Sequence, residues 1–85
     1  MASYRLLIKP SAAKELEALP PRVRVRVVAR IKQLAAEPRP PGCEKLTGQE
    51  KYRVRQGSYR VLYSVDDRGP SVVVVKIGHR RDVYR

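Results

Sequence analysis

The chain has 85 residues and a formal net charge of +11 at pH 7, from 19 Lys and Arg against 8 Asp and Glu. A chain this short buries only about 60–65% of the surface its unfolded form exposes, so it has room for one domain and one core. With 42% hydrophobic and 32% charged residues it is globular rather than disordered, and its charge calls for an anionic partner such as nucleic acid, an acidic protein or an acidic membrane surface.

In chain order, "SYRLLIK" alternates as a strand, with Tyr4, Leu6 and Ile8 on one face and Arg5, Leu7 and Lys9 on the other. Ser11 is placed as the N-cap of a short helix, "AAKELEAL", whose Ala12, Leu16 and Leu19 form one stripe. Pro20 and Pro21 stop it. The following "RVRVRVVARIKQLAAE" opens like a strand, because Val and Arg alternate. Its later residues disagree: Val27, Ile31 and Leu34 keep helical spacing, Pro21 suits a first turn and Pro38 ends the run. A helix of roughly four turns is expected. Its β-branched residues make it dependent on packing.

A Pro- and Gly-rich loop, "PRPPGCEKLTGQE", leads to three strands at 51–56, 58–65 and 71–77. The order βααβββ gives an α+β domain, a helical hairpin on a mainly antiparallel four-stranded sheet. Residues 1–85 form one domain. Cys43 is the single cysteine, so no intrachain disulfide forms. The opening apolar run is short and charged, unlike a signal sequence or membrane span. The expectation is a cytoplasmic protein without a membrane partner.

The hairpin carries the chemistry. A two-residue loop at Gly57 and Ser58 sets Arg55 opposite Arg60, Val54 opposite Val61 and Tyr52 opposite Tyr63. One face then holds Tyr52, Val54, Val61, Tyr63 and Val65, suited to packing; the other holds Arg53, Arg55, Arg60, Leu62 and Ser64. Like charges facing one another destabilise a sheet. The bland reading is a solvated face with screened charges; the functional one is a phosphate-binding surface, since the planar guanidinium makes paired hydrogen bonds to phosphate. Beyond the last strand, "GHRRDVYR" adds His79, Arg80, Arg81, Tyr84 and Arg85. Cations for phosphates and a ring for an unpaired base suit RNA.

At "KLTG", "YRVRQGSYRVLYSVDD" and "IGHRRDVY" the chain resembles the RelE branch of the RelE/ParE toxin superfamily, over nearly its whole length. The resemblance implies a toxin of a type II toxin–antitoxin system: a ribosome-dependent endonuclease that cuts messenger RNA in the A site. It implies inhibition by a cognate antitoxin, through an acidic or amphipathic segment, with the ribosome and mRNA as the other partners. By position it assigns catalytic work to Arg53, Arg55, Arg60, Arg80 and Tyr84. Arg81, His79 and Arg85 are added as RNA-binding residues. The two strand-two positions are commonly lysine in the family; arginine stays protonated and is a poor general base. The longer C-terminal helix of some relatives is not expected here.

His79 has the residue chemistry for acid–base work, against which stands an ordinary exposed histidine. No cofactor is expected, and one His, one Cys and dispersed carboxylates supply no metal-ligand set. Two other functions remain open: a ParE-like toxin that poisons DNA gyrase, and a basic RNA-binding module without chemistry.

Overall fold

The computed structural model describes residues 3–46 and 51–81. Five strands and two helices follow in the order β1 (Arg5–Ile8), α1 (Pro10–Glu17), α2 (Pro21–Ala36), β2 (Glu44–Lys45), β3 (Lys51–Gln56), β4 (Tyr59–Asp66) and β5 (Ser71–His79). The sheet order is β1-β5-β4-β3-β2. β1 runs parallel to β5, and all other neighbours are antiparallel. The four anticipated strands and both helices are present; the two-residue β2 is additional, making the sheet five-stranded.

α1 starts at Pro10, two residues before the Ala12 expected behind a Ser11 cap. Pro10 occupies its first turn and Lys9 is the N-cap, without a side-chain hydrogen bond. Proline has a preset φ and lacks the N–H that would go unpaired there, so Ser11 falls inside the helix instead of capping it. α2 resolves the Val-Arg ambiguity as a helix. Val27, Ile31 and Leu34 are buried along its inner face. Arg24 closes the helical hairpin by donating from Nη1 to the Glu17 carbonyl at 3.1 Å.

These stripes meet the sheet in one core, with Ala12, Val27, Leu34, Val61, Tyr63, Val72 and Val74 wholly excluded from solvent. The helix-facing strand positions are those the alternation gave, until β5. Between Leu62 and Tyr63 the β4–β5 register slips: Leu62 pairs with Lys76 and Tyr63 with Val74, leaving Val75 extra. Such a bulge reverses the alternation beyond it. Ile77 consequently turns into the core, and Lys76 goes to the open face beside Leu62. The Ile77 N–H is met by Oε1 of Glu15 on α1, at 3.1 Å.

At the sheet end remote from the Gly57 turn, Arg39 grips both oxygens of Asp67, at 3.2 and 2.9 Å, and donates from Nε to the Tyr52 hydroxyl at 3.1 Å. Tyr4 donates to the same carboxylate at 2.6 Å. Tyr52 stacks on Tyr63, whose buried hydroxyl donates to the Pro38 carbonyl at 2.7 Å. This network ties the proline-rich loop to the sheet.

Candidate functional site

The β3–β4 register is Gln56 with Tyr59, Arg55 with Arg60, Val54 with Val61 and Tyr52 with Tyr63, as the turn required. Gly57 has φ of 61°, the left-handed region that favours glycine at the first central turn position. On β5, Gly78 lies opposite Arg60. Arg55, Arg60 and Gly78 thus form one row across three strands on the face away from the helices. Gly78 contributes no side chain to this row.

The adjacent row on this face contains Glu44, Arg53, Leu62 and Lys76. Arg53 and Arg55 are two residues apart on one strand, a spacing of about 7 Å. Arg53 forms an ion pair with Glu44, from Nη2 to Oε2 at 2.5 Å. Arg60 is half-buried and donates from Nη1 to the carbonyls of Tyr59, at 3.2 Å, and Gly57, at 3.5 Å. These backbone bonds hold it along the hairpin tip. Arg55 is exposed.

The Glu44 carboxyl registers the combined charge. The hydrogen bond from Arg53 holds it below the ordinary carboxylate range. The Arg53 charge adds to this, as do Arg55 and Arg60 at longer reach. Three guanidinium groups therefore act on one point in front of the sheet.

Residues 79–81 come to the same end of the molecule. The Arg80 N–H donates to the Ser58 carbonyl at 2.8 Å, fixing residue 80 beside the hairpin turn. Arg80 and Arg81 are exposed. His79 pairs with Tyr59 and lies on the helix side of the sheet, opposite in sense to the arginine rows. Its ring meets that of Tyr59 edge-on, with centroids 5.5 Å apart, and its Nδ1 accepts the Arg81 N–H at 3.2 Å. Tyr84 and Arg85 lie outside the described residues.

The structure thus brings Arg53, Arg55 and Arg60 onto one face, with residue 80 at its rim, and sets His79 apart. Two charged neighbours were absent from the candidate set. Glu44 sits on a strand too short to announce itself. Lys76 reaches the open face only through the bulge; its signal was a lysine at what strict alternation would make a core position in "VVVVKIG".

Residues 6–84 match the family model described as ParE toxin of type II toxin–antitoxin system, parDE. The chain belongs to the RelE/ParE superfamily of type II toxins. It is 35% identical to toxin RelG of Mycobacterium tuberculosis over 86 residues, covering 96% of this chain and 97% of that one. Its fold is similar to the toxin–antitoxin complex RelBE2 of M. tuberculosis, with a TM-score of 0.82, 31% identity and coverage of 92% and 99%. It is likewise similar to the intact RelBE complex of E. coli, with a TM-score of 0.80, 29% identity and coverage of 91% and 96%. No helix of the described residues is long and apolar enough to cross a membrane.

Proposed function

We propose that this toxin is a metal-independent endoribonuclease that cuts messenger RNA on the ribosome and so blocks translation in the cytoplasm. One observation carries the reading: Arg55 and Arg60 are direct cross-strand partners despite their like charge, beside a strand position where Gly78 contributes no side chain. A row that sets two arginines opposite one another fits a phosphodiester.

RNA brings its own nucleophile. The 2′-oxygen forms a bond to the adjacent phosphorus while the bond from phosphorus to the 5′-oxygen breaks. The products are a 2′,3′-cyclic phosphate and a 5′-hydroxyl. Arg60 and Arg80 clamp the phosphate, and Arg53 and Arg55 stabilise the charge that grows on its oxygens. Arg81 and Arg85 extend the RNA contact, Tyr84 stacks on a base, and His79, on the helix side of the sheet, reaches RNA only at the rim beside Arg81. Arginine side chains do not accept the 2′-proton at neutral pH. Chemistry then depends on holding the linkage in line, a task in which the ribosome shares. Naked RNA should be cut slowly.

The partner that restrains the toxin is a cognate antitoxin. The solved relatives are toxin–antitoxin complexes. Here α2 offers a fitting surface: Val25 is 69% exposed, and the groove it forms with Val28 and Ala29 is flanked by Arg24 and Lys32. Basic rims on an apolar groove suit an acidic amphipathic segment.

The test is induced expression with transcript 5′ ends mapped, for wild type, Arg60→Ala and Arg80→Ala. Growth arrest with discrete in-frame cuts, lost in both variants, is the expected result. Arrest accompanied by DNA damage and intact transcripts would instead support the gyrase-poison reading.

A further inference from the structure

We infer that the Glu44 carboxylate occupies the seat of the substrate phosphate, so that RNA binds by displacing it from Arg53. The inference rests on the arginine face being the RNA site, and it adds an occupant that the substrate must remove.

Glu44 is directly opposite Arg53 in the β2–β3 ladder and bonded to its guanidinium. Arginine recognises a carboxylate and a phosphate through the same fork of N–H donors, so one anion can take the place of the other. The seat is accessible: the Glu44 side chain is 53% exposed and that of Arg53 31%. The carboxylate that leaves is carried by β2, an edge strand of two residues. So short a ladder opens at little cost.

The charge balance favours the exchange. The Glu44 carboxylate is bonded to Arg53, while Arg55 and Arg60 stand opposite one another in the next row. A phosphodiester bridging both rows meets all three. Glu44 thus keeps the free toxin from holding stray anions tightly, and a correctly presented backbone outcompetes it.

A rival role has the opposite sign. If Glu44 served to orient Arg53 for RNA, removing it would weaken binding. Two probes separate these roles with the full-length toxin: inorganic phosphate, and a short single-stranded RNA methylated at every 2′-oxygen, which cannot be cut. Glu44→Gln should bind both more tightly at low salt, by roughly two- to fivefold, the size an exposed ion pair commonly carries. Glu44→Ala should gain at least as much. Glu17→Gln, which removes an exposed carboxylate at the end of α1, controls for the simple change in net charge and should gain less.

Equal or weaker binding in the Glu44 variants, or a gain matched by Glu17→Gln, overturns the proposal. Because the RNA probe has no free 2′-hydroxyl, the outcome does not depend on whether the toxin cleaves. Arg60→Ala measured on the same probe tests the arginine face separately, and undiminished binding there would sink the underlying site instead.

Discussion

Arg55 and Arg60 are direct partners across the β3–β4 hairpin, two like charges at a position where a sheet gains from opposite ones. Cross-strand pairs shift stability by a few tenths of a kcal/mol up to about 1 kcal/mol. Arg55→Thr should therefore raise the melting temperature of the free toxin, by ~2–4 °C at low salt. The same change should weaken RNA binding and flatten its dependence on log salt by about 0.7, the slope of one phosphate contact on a single strand. A variant less stable than wild type, or one binding RNA unchanged, would remove the trade of stability for function.

Asp67 gives a pH signature. Its carboxyl lies below the usual range, first through the hydrogen bonds from Arg39 and then through that from Tyr4. A depressed folded-state value means the stabilisation is complete above the unfolded carboxylate value of about 3.9. It is lost as pH falls through the folded value. Asp67→Asn should melt below wild type at neutral pH, and the two curves should converge in acid. A constant gap down to about pH 2 would contradict this linkage.

The Tyr63 hydroxyl is buried against the Pro38 carbonyl, and burial is the main cause raising its ionisation above the ordinary tyrosine value. Tyr63→Phe keeps the ring stack with Tyr52 but leaves that carbonyl unpaired. The expected loss is about 1–3 kcal/mol in urea unfolding. Ribosome-dependent cleavage, scored below the melting range, should be unaffected.

Glu15 supports the bulge from outside the sheet. Replacing it with Ala leaves the Ile77 N–H without its acceptor. Loss of about 1 kcal/mol is expected, together with faster hydrogen exchange at Ile77 and weaker RNA binding, since Gly78 adjoins Arg60. Unchanged exchange at Ile77 would show that the bulge holds itself.

Much of this architecture was written plainly in the chain. The hairpin register followed from Gly57, because a fixed two-residue turn leaves each later pair no choice. The second helix followed from Val27, Ile31 and Leu34, whose spacing outweighed the misleading alternation before them. The remainder depended on tertiary contact. Two residues, Glu44 and Lys45, carry no period at all, so β2 exists only because β3 is there to receive it. The bulge at Val75 is equally silent locally: four consecutive valines fit either face, and only Glu15 and the β4 register select the slip. At the site, the arginines were legible as a cluster, whereas the carboxylate among them was not.

The sheet order also bears on when the toxin finishes folding. Among the described residues β5 is the last strand in chain order, yet it is an interior strand, bridging β1 on one side and β4 on the other. β1 therefore has no strand to pair with until residues 71–79 are available. Closure of the sheet thus waits on β5, the strand that joins its two flanks.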